Sequence, residues 1–88
     1  MLVFIQLVIT NLKMEVRIMP LTIAPISKEI TIVKMFLDSK LKSHLSSLGL
    51  TLNSKVRILS QTKGNVVLSI KGSRIALDHD VAQNIFIV

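Results

Sequence analysis

The hydrophobic pattern of the chain changes its period at Gly49. On the N-terminal side, Leu41, Leu45 and Leu48 follow one another at spacings of four and three, which is typical of one apolar stripe on a helix. On the C-terminal side, residues 55–58 (KVRI) alternate between polar and apolar, as in a strand with one buried face. Glycine readily takes the left-handed backbone that ends helices. The sequence therefore predicts a short amphipathic helix that turns directly into a β-strand.

Short strands separated by turns account for most of the remaining pattern. Asp38 or Ser39 can cap the helix, and Asp78 can cap a single helical turn near the C-terminus. Gly64 lies in a turn that joins two strands into a hairpin. The predicted strands cover residues 29–36, 55–60, 66–72, 73–77 and 86–88. Because closure removes exposed edges, this mainly β pattern, with one short amphipathic helix and a C-terminal helical turn, predicts a small β-barrel.

Length and composition limit the functions that the chain can have. Its 88 residues form one small domain, and the absence of cysteine excludes disulfides, thiolate zinc sites and cysteine nucleophiles. The sequence also lacks a P-loop, the Gly-x-Gly-x-x-Gly and Gly-x-Ser-x-Gly motifs, and the His-Glu-x-x-His motif. We therefore predict no catalytic residues, no cofactor and no enzyme activity.

The two histidines do not indicate a metal site. His79 lies between Asp78 and Asp80, but three consecutive residues of a strand cannot all point at one ion. A helix cap formed by Asp78 accounts for this cluster without a metal. His44 has no Asp, Glu or Cys three or four positions away to complete a helical metal pair, so we expect it to be solvated. No metal-binding residue is predicted.

Positive charge is concentrated in the body of the chain. The whole sequence carries a net charge of +6, and residues 28–74 contain nine Lys or Arg against two acidic residues, an excess of seven. Such a field favours phosphates, anionic headgroups or an acidic protein face. A barrel that binds nucleic acid is thus one alternative, with contacts at Lys55, Arg57, Lys63, Lys71 and Arg74. Because this hairpin region has no aromatic side chain to stack on bases, nucleic-acid binding is disfavoured.

The first 18 residues form an apolar extension. Its apolar stretch, which ends by Ile9, would rise only about 14 Å as a helix against a hydrocarbon core of about 30 Å, so we expect no membrane span. Residues 1–18 can instead form an extra hairpin that contacts a second copy of the chain, giving a homo-oligomer, or that wraps the domain. Alternatively, Met14 or Met19 is the natural start and the extension is incidental.

Three stretches of the sequence together resemble the ferrous iron transport protein A (FeoA) family. They are MPLTIAPISKEITIVKM, KLKSHLSSLGLTLNSKVRIL and GNVVLSIKGSRIALDHDVAQNIFIV, and the resemblance covers residues 19–88. The family's signatures match Leu45, Leu48, Gly49 and Leu50, and later Arg74, Ala76 and Leu77. The family usually has Pro-Gly where this chain has Leu52 and Asn53, and asparagine tolerates left-handed backbone. The resemblance implies an SH3-like β-barrel.

The resemblance also implies a non-catalytic accessory role in ferrous iron uptake. By similarity, the domain would lie in the cytoplasm at the inner face of the cell membrane, where it docks on and regulates the FeoB GTPase permease without binding iron. We predict that Leu45 and Leu50 straddle the boundary between core and surface, within a polar rim. The predicted partner-binding residues are Lys40, Lys42, His44, Leu45 and Leu50. The alternative is that the leucines around Gly49 all belong to the core.

A further alternative keeps the fold and changes the role. FeoA-like domains also occur at the C-terminus of iron-dependent repressors, and the chain resembles such a domain in detached form. No helix-turn-helix pattern precedes it in the sequence, so a regulator of this kind would require a separate DNA-binding subunit.

Overall fold

One antiparallel sheet and two short helices make up the described part of the molecule. The structure, a computed structural model, describes residues 17–88. Its elements are β1 (Met19–Pro20), a 3-10 turn (Leu21–Ile23), β2 (Glu29–Met35), α1 (Ser39–Ser47), β3 (Lys55–Thr62), β4 (Asn65–Ile70), β5 (Ser73–Leu77), α2 (His79–Ala82) and β6 (Ile85–Ile87). The predicted mainly β fold, with one short helix and a C-terminal helical turn, is confirmed. The predicted N-terminal hairpin lies outside the described residues.

The six strands follow the order β1-β6-β2-β3-β4-β5, and neighbouring strands are antiparallel. Within residues 17–88, no ladder of hydrogen bonds joins β1 to β5, so the predicted full closure of the barrel is wrong. β1 is only two residues long, and its Pro20 lacks the N–H that a further ladder would need. The sheet instead packs around a single core, to which all strands from β2 to β6 contribute buried side chains.

A β-bulge sets which side chains of β2 enter the core. Strict alternation would place Lys34 on the same face as Ile30 and Ile32. The pairing of β2 with β6 shifts between Ile32 and Lys34, and the side-chain sequence of the strand shifts with it. Met35 is therefore buried and Lys34 is exposed. The bulge explains why the hydrophobic pattern of this strand is irregular.

The two hairpins from β3 to β5 have the same turn chemistry. Lys63 and Gly64 both take a positive φ, of 54° and 83°, and the flanking residues Thr62 and Asn65 are paired. A Lys-Gly pair with positive φ also joins β4 to β5. Two-residue turns with positive φ at both positions match the right-handed twist of the strands they join. The predicted hairpin turn at Gly64 is confirmed.

α2 is fixed on top of the first of these turns. Asp78 Oδ1 accepts from the Val81 N–H at 3.0 Å, which confirms the predicted cap. The backbone N–H of His79 donates to Asn65 Oδ1 at 2.8 Å. The His79 ring also lies close to Gly64, where a Cβ atom would come within 2.1 Å of His79 Cδ2. The contact between the β3–β4 hairpin and α2 therefore depends on Gly64 and Asn65 of the hairpin and on His79 of the helix.

Candidate functional site

α1 begins and ends with local hydrogen bonds that its own sequence supplies. Asp38 Oδ1 accepts from the Leu41 N–H at 2.8 Å, so Asp38 is the N-cap, one of the two candidates that the sequence offered. At the other end Gly49 has a φ of 98°, and the Leu50 N–H donates to the Leu45 carbonyl oxygen at 2.9 Å. This is a Schellman motif, in which the left-handed glycine lets the chain reverse. The predicted helix stop at Gly49 is confirmed.

The same motif buries two of the predicted contact residues. Leu45 and Leu50 are 2% and 0% exposed, and both belong to the hydrophobic core. Residues joined across a Schellman motif commonly make an apolar contact, so the reversal at Gly49 turns Leu50 inwards beside Leu45. The prediction that they straddle the boundary between core and surface is therefore wrong. Leu48, which follows the last helical residue, is instead 44% exposed.

An apolar groove lies along one flank of α1. It has a volume of about 150 Å³ and is lined by Met35, Lys42, Ser46, Leu50, Thr51 and Leu52. Lys42 and Ser46 are four positions apart and therefore lie on the same side of the helix. Leu50 forms part of the wall despite its burial, whereas Leu52 is 55% exposed at the margin. We call this feature the apolar groove.

The opposite flank of α1 carries a separate depression of about 410 Å³. It is lined by Asp38, Lys40, Leu41 and His44. The five predicted contact residues therefore do not form one patch. Lys42 and Leu50 line the apolar groove, Lys40 and His44 line the depression on the opposite flank, and Leu45 lies in the core. Whether any of them contacts a partner stays a prediction.

A third, larger groove continues from the apolar groove past Leu52. Its volume is about 570 Å³, and it is lined by Glu29, Thr51, Leu52, Asn53, Ser54, Lys55 and Lys71. We call it the basic groove because Lys55 and Lys71 are its cationic residues. Thr51 and Leu52 line both grooves and separate them. Leu52 was not among the predicted contact residues; its position before the left-handed Asn53 is the sequence signal that could have indicated a protruding turn.

The turn that carries Leu52 is held by its own hydrogen bonds. The Thr51 N–H donates to Ser54 Oγ at 2.9 Å, and that hydroxyl donates to the Gly49 carbonyl oxygen at 3.0 Å. Asn53 takes a φ of 69°, and its N–H donates to the Ile32 carbonyl oxygen at 2.7 Å. The expected left-handed asparagine is confirmed. The turn is thereby tied to β2, and Leu52 is presented at a fixed place.

The basic residues proposed for nucleic-acid binding are all exposed. They are Lys55, Arg57, Lys63, Lys71 and Arg74. The aromatic side chains of the described residues lie elsewhere: Phe36 and Phe86 pack edge to face, with ring centroids 5.6 Å apart, next to the pairing of β2 with β6. Base stacking on the basic face would therefore have no partner among residues 17–88. Nucleic-acid binding itself stays untested.

Two further properties of residues 17–88 concern metals and membranes. No three histidine or acidic side chains among them come together as a metal-binding group. His79 Nδ1 lies 3.5 Å from Asp80 Oδ1, while Asp78 is occupied as the cap of α2. None of the helices in this part of the chain has the length and apolar character required to cross a bilayer.

Comparison with curated proteins and solved structures identifies relatives of this fold. A protein of Methanocaldococcus jannaschii named "Putative Fe(2+) transport protein A" is 29% identical over 68 residues, which is 77% of this chain and 83% of that protein. The crystal structure of an iron uptake regulatory protein, FeoA, superimposes with a TM-score of 0.71 at 19% identity, covering 81% of this chain and 96% of that chain.

Two more solved structures share the fold. An FeoA-like protein from Clostridium acetobutylicum matches with a TM-score of 0.66 at 14% identity, covering 84% of this chain and 88% of that chain. A manganese-dependent transcriptional repressor matches with a TM-score of 0.69 at 22% identity, covering 81% of this chain but only 41% of that chain. These likenesses establish an SH3-like fold of the FeoA type. The family model of the FeoA domain matches residues 19–88, which includes every strand and helix described above, and the chain therefore belongs to the FeoA domain family.

Proposed function

We propose that this protein is a non-catalytic accessory protein of ferrous iron uptake, which docks on a FeoB-type membrane GTPase permease and regulates it from the cytoplasmic side. Membership of the FeoA domain family and the relative named for Fe(2+) transport support the iron-uptake role. Docking would use the apolar groove. This assignment moves the expected contact from Leu45 to Leu52, because only the latter is accessible.

The observation that carries the proposal is the pairing of a recessed apolar surface with an exposed leucine. Leu50 and Met35 line the apolar groove, while Leu52 is 55% exposed at its margin. Lys42 adds a charge at the rim. A small apolar centre with a polar rim is the usual anatomy of a contact site between proteins. Such a site lets a partner fill the groove with one side chain and exclude water around it.

Regulation by docking requires only a difference in affinity. If the domain binds one conformation or one assembly state of the permease more tightly than another, it shifts the population towards that state. A tenfold preference corresponds to about 1.4 kcal/mol, which a single well-packed side chain can supply. No chemical step by the domain itself is needed.

The test is the binding of the full chain to a detergent-solubilised FeoB-type permease, with its GTP hydrolysis measured in parallel. We expect Leu52→Gln to weaken binding at least about tenfold, because it removes a side chain that a partner would bury. Ile23→Gln is the matched control: Ile23 is 65% exposed but lies in the 3-10 turn, away from the apolar groove. Both variants should keep the thermal stability of the parent.

Two results would contradict the proposal. One is that the parent chain neither binds the permease nor changes its GTP hydrolysis. The other is that Leu52→Gln and Ile23→Gln have equal effects on binding, which would place the contact outside the apolar groove.

A further inference from the structure

We propose that the apolar groove and the basic groove form one composite docking surface, and that its occupant is an extended, acidic protein segment carrying an apolar residue. This inference rests on the proposed function and names the chemistry of the partner segment. The apolar side chain would enter the apolar groove, and the carboxylates beside it would lie over Lys55 and Lys71. Lys42 would meet a carboxylate on the other side.

The two grooves lie side by side and meet at Leu52. Thr51 and Leu52 are the residues that line both of them. Hydrogen bonds to Ser54 Oγ and to β2 hold the turn at residues 51–53. Thr51 and Leu52 therefore form a fixed ridge between the two grooves. A chain that crosses this ridge would contact the apolar wall on one side and the lysines on the other. An extended segment rises about 3.3 Å per residue, so a few residues are enough to span it.

The lysines of the composite surface form no ion pairs within the described residues. Lys42, Lys55 and Lys71 are exposed, and in residues 17–88 none of them has a carboxylate oxygen within 4.0 Å of its ammonium nitrogen. Glu29 is the single acidic residue that lines either groove. Arg57 pairs with Ser69; Lys55 precedes Arg57 by two residues and Lys71, in the turn after β4, follows Ser69 by two, so both lysines lie at the same end of this strand pair and line one groove. Two cations in one groove repel, and a carboxylate placed between them would remove that repulsion.

An acidic protein segment fits this surface better than the other classes of anion. Nucleic acid would bring phosphates but no apolar side chain for the apolar groove, and the basic face offers no aromatic platform among the described residues. A second copy of the chain carries a net charge of +6 and would be repelled. Its carboxylates at Asp38 and Asp78 are moreover engaged as helix caps.

The test uses a synthetic probe on the full chain. The probe is a fluorescein-labelled peptide with one central leucine flanked on both sides by aspartate and glutamate, and binding is followed by fluorescence anisotropy at about 50 mM and about 300 mM salt. We expect the double variant Lys55→Glu/Lys71→Glu to weaken binding at least about tenfold at the lower salt concentration. Replacing the leucine of the probe with serine should weaken its binding to the parent chain at both salt concentrations.

The matched control is Lys34→Glu/Lys63→Glu, which makes the same change in net charge. Both residues are exposed and neither lines either groove. We expect this variant to lose less than about threefold in affinity, because its charges act only over a distance and are screened. Far-ultraviolet circular dichroism should give the same melting curve for both double variants.

Three outcomes would overturn the inference. The first is that the two double variants lose affinity equally, which would indicate a diffuse field. The second is that the serine probe binds as well as the leucine probe. The third is that phosphatidylglycerol vesicles or duplex DNA bind more tightly than the peptide and with the same dependence on Lys55 and Lys71. If the permease still binds the Lys55→Glu/Lys71→Glu variant with unchanged affinity, the composite surface is wrong while the proposed function stands.

Discussion

The two helices of this domain begin in the same way and differ in what surrounds them. Each has an aspartate N-cap that accepts from a backbone N–H three residues later, Asp38 for α1 and Asp78 for α2. α2 has one more partner at its start, since the His79 N–H donates to Asn65 and the His79 ring packs on Gly64. α1 is attached through its C-terminal end, where the Schellman motif draws its last turn into the core.

This difference explains why the candidate site lies on α1. The β3–β4 turn occupies the N-terminal end of α2, so that end is part of the frame. Both flanks of α1 border open depressions, because only its Leu41–Leu45 side packs on the core. The two helices are capped alike, so the caps do not distinguish them. They differ in where else they are attached, α2 at its start to the β3–β4 turn and α1 at its end to the core, and this difference leaves the flanks of α1 open.

The largest expected effect comes from replacing the buried attachment of α1. Leu45→Gln removes a core side chain and buries an amide, which should lower the free energy of unfolding by about 3–5 kcal/mol. Total stabilities of about 5–15 kcal/mol are usual, so this substitution should remove a large fraction of the total stability. The measurement is urea unfolding followed by circular dichroism, since the sequence has neither tryptophan nor tyrosine.

Leu48→Gln is the matched control on the same helix end. Leu48 is 44% exposed, so its replacement should change the free energy of unfolding by less than about 0.5 kcal/mol. A Leu45→Gln variant that stays as stable as Leu48→Gln would contradict the assignment of Leu45 to the core. It would also restore the interpretation of Leu45 as a contact residue.

The next largest effect concerns the attachment of α2. Gly64→Ala adds a Cβ atom 2.1 Å from the His79 ring at a φ of 83°, and should cost about 2 kcal/mol of unfolding free energy. Gly72→Ala has a similar φ of 84° but meets nothing within 4 Å, so strain alone should cost about 1 kcal/mol. Urea unfolding of both variants isolates the contact with His79.

A third variant separates the two causes. In Gly64→Ala/His79→Ala the ring is gone, so the loss relative to His79→Ala should fall to that of Gly72→Ala. If this loss stays at about 2 kcal/mol, the contact with the His79 ring does not contribute to the cost of Gly64→Ala, and the strain at Gly64 is larger than the geometry indicates.

Features set by neighbouring residues were predictable from the sequence, and features set by distant contacts were not. The cap at Asp38, the stop at Gly49 and the turn at Gly64 depend on the conformational preferences of single residues, and the structure has all three. The burial of Leu45 and the exposure of Leu48 could not be separated, because both fit the same helical stripe. Only the tertiary position of the helix decides which of them meets the sheet.

The two grooves could not be predicted from the sequence either, because they too depend on distant contacts. Met35 and Lys42 line the apolar groove together because a bulge in β2 turns Met35 inwards beside α1. Lys55 and Lys71 share the basic groove because β3 and β4 pair in one register. A bulge and a register are properties of paired strands, and a single strand's pattern does not contain them.

The smallest expected effects come from the caps themselves, where the two helices should differ. Asp38→Ala removes the one side-chain bond at the start of α1 and should cost about 1 kcal/mol of unfolding free energy. Asp78→Ala should cost about 0.5 kcal/mol, at the low end for caps, because Asn65 still accepts from the His79 N–H and holds the first turn of α2. Asp80→Ala is the control, an acidic residue in the same turn that caps nothing and should cost a few tenths of a kcal/mol. Urea unfolding measures all three, and a larger loss for Asp78→Ala than for Asp38→Ala would show that the bond from His79 to Asn65 does not substitute for a cap.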